Sequence, residues 1–522
     1  MRVIYVVFAI MLLASSSCKN YLDVAPEGKV ATKDNFTSKD DAVAAINGLY
    51  GLMQDVVDQI WLMGEAQGDL VVPARGADKY LYDVSTHQVT PENPYADYTK
   101  FYRLVNACNG AIAGLRKLNV TVQNYGEDAM KADISEVIAI RSWAYFQLVK
   151  IWGDVPYTEN FVSTFDQVTN IAPLKGNEIL KKLTKDLEGA VNTGLFVTAL
   201  GGTAETERFN YYSIRYMMAE MYLNTGEYQK AYEILSTFVP FNYMNGQTFR
   251  MDTYVKADWI TQFATNVVTG AQVKSWVQCI KFDVNRNQTH HIMQWTNNQG
   301  NGIYAFKPSV NAIQNWSKQE GTLDVLTGAG LPAKNGVDGD IWRANGRSFL
   351  IDGRDTLIYK YLIKDNLGTR KDSYKDDMSF ILARDGHTAL LMAEILNRLG
   401  RSEEALLLIN GSVTAYMGVR FRVRVMPKLI VDRTANIAAQ VDDIILDEWA
   451  LETAFEGNRW FDMVRMAKNS GNSALLANRI ALKYPLAQRN AIRQRLSNPT
   501  YWYLPYYQRN VDANKLLIQK PY

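Results

Sequence analysis

An excess of charge of either sign is missing from this sequence. Its 522 residues carry 56 Lys+Arg and 54 Asp+Glu, a formal net charge of only +2. A nucleic-acid binder usually needs a basic excess to neutralise phosphates, so the balance argues against that class. It argues against an acidic disordered chain too, because 47% of the residues are apolar. Cysteine is scarce, with 3 in the whole chain and no Cys-x-x-Cys pair. A zinc ribbon or thioredoxin site is therefore disfavoured. Cys108 and Cys279 have apolar flanks and read as separate small core residues rather than a bridge. No G-x-S-x-G, H-E-x-x-H or P-loop string occurs. His290 and His291 are adjacent, so in a strand they face opposite sides and do not converge on one metal. The string NGVDGD at residues 335–340 lacks the twelve-residue calcium loop with its closing Glu. No cofactor or metal is expected.

Long apolar runs are also missing beyond the first residues. Val3 to Ala14 form a run of about 12, against the roughly 20 that a spanning helix needs. Arg2 precedes it, and Ser15, Ser16, Ser17 and Cys18 follow. This is the pattern of a signal peptide, and LLASSSC resembles a bacterial lipobox. Residues 1–17 are read as a lipoprotein signal peptide and Cys18 as the lipidated residue. Acyl chains on Cys18 are then the only membrane anchor, each buried methylene adding about 0.8 kcal/mol. Residues 18–36 form a polar tether, kept from helix by Pro26 and Gly28.

What the sequence has in quantity is aromatic residues, with 30 Tyr and 11 Trp against 19 Phe. Tyr and Trp suit surfaces that are apolar and yet hydrogen-bond. Helical periodicity covers 41–53, 98–117, 132–152, 176–191, 210–235, 380–399, 403–408, 441–465 and 473–490. The 132–152 stripe is wide enough for a helix buried on more than one side. From about 239 to 371 the chain turns rich in Asn, Gln, Gly, Thr and Trp, and reads as a loop-rich insertion with a few short strands. One repeat is visible. AEMYLNTGEYQKAYEIL from Ala219 echoes AEILNRLGRSEEALLLI from Ala393, each with Gly seven positions after the first Ala and another Ala five further on. That spacing gives a tetratricopeptide-type helical hairpin.

Glu448, Glu452 and Glu456 recur at i, i+4, i+8 and are expected on one helix face, where like charges repel unless cations meet them. Arg459, Arg465, Arg141 and Arg384 are the candidate cations. A glycosidase would use two such carboxylates about 5 to 9.5 Å apart. Phe455, Trp460 and Phe461 mark the segment as core, so a structural ion-pair network is the preferred reading.

The ordered motifs resemble the SusD/RagB family of outer-membrane nutrient-binding lipoproteins. They are the lipobox with NYLDVAPEG, NFTSKDDAVAAINGLY from Asn35, YRLVNACNGAI from Tyr102, and IRSWAYFQLVKIWGDVPY from Ile140. KDDMSFILARDGHTALLMAEILNRLG from Lys375, FEGNRWFDMVR from Phe455 and YWYLPYYQRNVDANKLLIQKPY from Tyr501 complete the set. The resemblance implies a mainly α fold over one domain, 37–522. Four tetratricopeptide-like helical pairs would lie at about 37–235 and 375–500, beside an irregular ligand-binding half. It also implies a non-enzyme at the outer membrane, facing the cell exterior. There it would bind an oligosaccharide, or in some members a peptide, and act as the lid of a SusC-like TonB-dependent transporter.

Sugar rings stack their C–H faces on Tyr and Trp, and their hydroxyls need Asn, Asp, Gln and Arg. Two stretches combine these types, 61–98 and 276–342. They supply the candidate ligand residues Asp69, Arg75, Tyr80, Tyr82, Tyr95, Tyr98, Trp276, Trp295, Asn297, Tyr304, Trp316 and Trp342. A glycoside hydrolase built on the Glu stripe and a plain helical scaffold are the readings from other classes.

Overall fold

The computed structural model describes residues 36–164, 167, 171–195, 206–237, 263, 276–318, 343–364, 369–370, 378–410 and 430–522. Cys18, the 335–340 string and Trp342 lie outside the described residues, as does much of the expected insertion. Described segments are mostly helical, with four short antiparallel strand pairs. No described helix is long and apolar enough to cross a membrane.

The helical scaffold starts at Lys39–Gln54, capped by Ser38 in a capping box with Asp41. Hydrogen bonds from Thr37 and Ser38 lower the Asp41 carboxyl to about 2. Helices Thr99–Thr121 and Glu127–Trp152 pack as an antiparallel pair. The second is buried at every residue from Ala139 to Val149, in line with its wide apolar stripe. It stops at Gly153, whose φ of +73° suits glycine. Gly176–Asn192 packs on it and leads to the repeat.

Both copies of the repeat are hairpins. Tyr211–Thr225 and Tyr228–Ser236 turn at Gly226 (φ +80°), and Asp385–Arg398 and Ser402–Asn410 turn near Gly400 (φ +76°). The spaced alanines, Ala231 and Ala405, are fully buried between the helices of each pair. The repeated Glu residues, Glu220 and Glu394, both meet Arg465, at 3.5 and 2.8 Å, and Asp462 joins them at 2.8 Å. Burial pushes Asp462 up to about 6, against the pull of Arg465.

Three expected helices are broken. The 380–399 segment opens as strand Phe380–Arg384, paired with Trp276–Ile280, before its helix begins. The 441–465 segment divides into Ile437–Glu452 and Arg459–Ser470 around a turn with Phe455 at φ +68° and Gly457 at φ +86°. The 473–490 segment ends its first helix at Ala481 and resumes past Pro485. Glu456 therefore leaves the helix face it was assigned to and lies in the turn. Cys108 and Cys279 are buried and free.

Candidate functional site

The two aromatic stretches converge because a buried turn fixes the first of them. After Val57–Trp61 the chain makes a wide π-type turn at Leu62–Ala66. Glu65 accepts from the Phe455 and Gly457 amides at 2.9 and 3.0 Å, and Trp61 Nε1 donates to the Phe455 carbonyl at 2.9 Å. Burial pushes Glu65 up to about 8, although these amides and Arg459 oppose the shift. A Cβ on Gly64 would stand 1.8 Å from the Gly457 carbonyl oxygen, so only glycine allows this approach. Asp69 accepts from Arg459 at 2.6 and 2.9 Å. Burial opposes its charge, but Arg459 holds it below its ordinary value. Lys483 donates to the carbonyls of Ala66, Gly68 and Val71 at 2.9, 2.7 and 3.3 Å.

From this anchor, Val71–Pro73 pairs with Phe306–Pro308. The pairing continues through Ala74 to the Ala305 carbonyl at 2.7 Å and Gly76 to the Tyr304 carbonyl at 3.0 Å. Arg75 is thereby laid over the Tyr304 ring, 4.7 Å from its centroid. The Arg75 guanidinium also meets Asp355 at 2.6 Å, from the hairpin Phe349–Asp352/Asp355–Ile358. Asn298 donates to Asp355 at 2.8 Å, and Arg370 meets Asp352 at 2.9 Å and Asn298 at 2.8 Å. Beside this polar web, Tyr95 meets Trp295 edge-on with centroids 6.4 Å apart, and His291 stacks on Trp295 at 5.9 Å. His291 is held to Asp58 at 2.6 Å. Burial opposes the Asp58 charge, but the hydrogen bonds from His291 and the charges of His290 and His291 together lower the carboxyl.

The predicted residues divide by exposure. Arg75, Tyr80 and Tyr82 face solvent, and Tyr95 and Trp276 are half-buried. Tyr80 and Tyr82 are two apart on helix Lys79–Ser85 and so point to different sides. Trp295, Asn297 and Tyr304 are buried beneath the exposed Arg75: Tyr304 bonds Thr356 through its hydroxyl at 3.0 Å, and Asn297 accepts from Arg370. Three candidates are corrected to core roles. Asp69 is consumed by Arg459, Tyr98 packs between Tyr102 and Trp152, and Trp316 is sealed against Phe349 and Phe455. Sequence reasoning missed Asp58, His291, Asp352, Asp355 and Arg370 as parts of the cluster.

The Glu stripe is elsewhere and closed. Arg343 meets Glu448 at 2.6 Å and Glu452 at 3.1 Å; Arg384 meets Glu452 at 2.6 Å and Glu456 at 2.8 Å; Lys360 meets Glu456 at 2.6 Å. All six side chains are within a few per cent of full burial. Burial opposes the Glu456 charge, but Arg384 and Lys360 hold it well below the usual range. Of the expected cations only Arg384 serves here. Arg141 instead meets Asp186 at 3.1 Å, Arg459 goes to Asp69, and Arg465 to the repeat glutamates. His290 and His291 bond separate partners, the Met378 carbonyl and Asp58.

Comparison with known proteins gives a consistent set of matches. Residues 310–522 match the family model described as the SusD family, and residues 20–193 match one described as starch-binding associating with outer membrane. The SusD-like protein P38 of Formosa agariphila is 23% identical over 483 residues, covering 87% of this chain and 89% of that protein. A SusD superfamily protein from Bacteroides thetaiotaomicron superposes with a TM-score of 0.70 at 19% identity, over 93% of this chain and 98% of that one. Surface glycan-binding protein A from the same organism, solved in complex with laminarihexaose, gives 0.66 at 16% identity, over 93% and 100%.

Proposed function

Because the chain belongs to the SusD/RagB family, we propose that it is a surface glycan-binding lipoprotein that captures oligosaccharide. The observation that carries this is the convergence of Arg75 with Asn298, Asp352 and Asp355 above Tyr304, beside the half-buried Tyr95 on Trp295. The half-buried Tyr95 ring offers an apolar surface to the C–H face of a sugar there, and the polar web offers both donors and acceptors to hydroxyls. In this reading nothing reacts. Affinity comes from stacking and a few hydrogen bonds, and the buried Glu stripe serves stability.

The outer-membrane association named for the 20–193 family model supports the surface location. Lipidation at Cys18 would hold the protein there. Delivery would be to a SusC-like transporter, with this chain as its lid. Isothermal titration across an oligosaccharide panel that includes laminarihexaose tests the binding reading. Saturable binding of at least one glycan, weakened by Tyr80→Ala and Tyr95→Ala with unchanged melting, is the expected result. A flat response to every glycan with saturable binding of a peptide pool would replace it by the oligopeptide reading, which the exposed Arg75–Asp355 charge pair also suits.

A further inference from the structure

A second cleft lies between the end of the Glu127–Trp152 helix, the start of Gly176–Asn192, the Arg459–Ser470 helix and the C-terminal segment. It encloses about 510 Å³. That is within the size range of small-molecule sites and far beyond a single ion. Among the described residues, four lysines line it, Lys150, Lys175, Lys468 and Lys520, against one carboxylate, Asp154.

The pairing of these cations is incomplete. Lys175 is met by Asp154 at 2.7 Å, and Lys150 by Glu220 at 3.7 Å from the core side. Among the described residues, Lys468 reaches neutral oxygens, Asn177 Oδ1 at 2.7 Å and the Asn224 carbonyl at 3.2 Å. Lys520 likewise donates to the carbonyls of Trp152 and Leu504. Burial pushes Lys520 down to about 7 against the pull of Asp154, which Lys175 already engages, and burial lowers Lys468 as well. Both ammonium groups would gain from an anion, which binds best where cations are partly desolvated and unneutralised. The rest of the wall mixes the polar Asn177, Asn224 and Thr500 with the apolar Phe461 and Val464 and the ring of Tyr503.

We propose that this cleft binds an acidic saccharide unit, its carboxylate or sulfate between Lys468 and Lys520 and its ring against Tyr503 and Phe461. The site is separate from the Arg75 cluster and does not depend on it.

Isothermal titration of the full protein with digalacturonate, inorganic sulfate and maltose tests this. Digalacturonate is expected to saturate at one per chain and to weaken as salt rises from about 50 to about 300 mM, as screening requires. Sulfate should compete with it, and maltose should not. Lys468→Ala, at an exposed position, should weaken digalacturonate about tenfold, Lys468→Glu should abolish binding, and Lys468→Arg should restore it. Neutral glycan binding at the Arg75 cluster should be unchanged in Lys468→Ala, so failure of one site is distinguishable from failure of the other. Absence of saturation, affinity indifferent to Lys468→Glu, or sulfate binding without digalacturonate binding would each overturn the proposal.

Discussion

Arg75 and Glu65 sit ten residues apart and do opposite work. Arg75 is 61% exposed at its side chain, and its contacts are a ring face and a surface carboxylate. Exposed pairs of this kind contribute little to folding. Arg75→Ala should leave the unfolding free energy within about 0.5 kcal/mol and weaken glycan about tenfold, as loss of a charged hydrogen-bond donor does. Calorimetry and urea melts on the same preparation would separate the two effects, and a stability loss equal to the binding loss would refute the assignment. Glu65 is the reverse case, fully buried and hydrogen-bonded by two backbone amides. Its folded value of about 8 lies above the ordinary 4.5. Between those values the folded chain keeps a proton that the unfolded chain has released, so its contribution is full at low pH and is lost as pH rises through about 8. The stability of the parent relative to Glu65→Gln should therefore fall between pH 5 and pH 8 by an amount on the order of a few kcal/mol. Urea melts at several pH values measure it, and a constant difference would contradict the buried proton.

The strand clip Val71–Pro73/Phe306–Pro308 and the 453–458 turn carry the site at the level of elements. A Cβ on Gly76 would stand 1.5 Å from the Ile303 carbonyl oxygen, with backbone on both sides of the clash. Gly76→Ala should pull the two stretches apart and abolish glycan binding. Gly48→Ala meets nothing within 4 Å. On an ordinary helix it should leave binding intact and raise stability by about 0.5–1 kcal/mol. Equal glycan affinity in both variants would show that the clip does not assemble the site. Elements marked by glycine were legible in the sequence: Gly226 and Gly400 announced two hairpins by spacing alone. Strand Phe380–Arg384 was not, because a short apolar run reads equally as buried helix or strand. Glu456 misled for a different reason. Its i+8 spacing continues the helix arithmetically, while Phe455 and Gly457 have already left it. The aromatic stretches were visible as composition. Their partners Asp355, Arg370 and Asp58 were not: they stand in a four-residue strand pair, an isolated bridge and a five-residue helix, elements too short to carry a pattern of their own.

Across the whole molecule, Arg465 joins the two copies of the helical repeat through Glu220 and Glu394. Removing one partner of a buried charge cluster costs about 3–5 kcal/mol, because the remaining charges lose their solvation without compensation. Arg465→Leu should lower stability by that order, and adding Glu394→Gln should recover part of it. A melting temperature unchanged by Arg465→Leu would refute the bridging role. At the other end, Cys18→Ala should release the protein from the membrane fraction, and persistent lipid labelling would remove the proposed anchor.

The bond from the Phe455 amide to Glu65 spans 390 residues. Residues 62–71 thus emerge early from the ribosome or the export channel and wait for nearly the whole chain before their buried carboxylate finds a partner. Contacts of such long range make assembly slow and late. The Arg75 surface cannot mature as an independent early subdomain, and a chain cut short before residue 455 would carry every exposed residue of the site without the site.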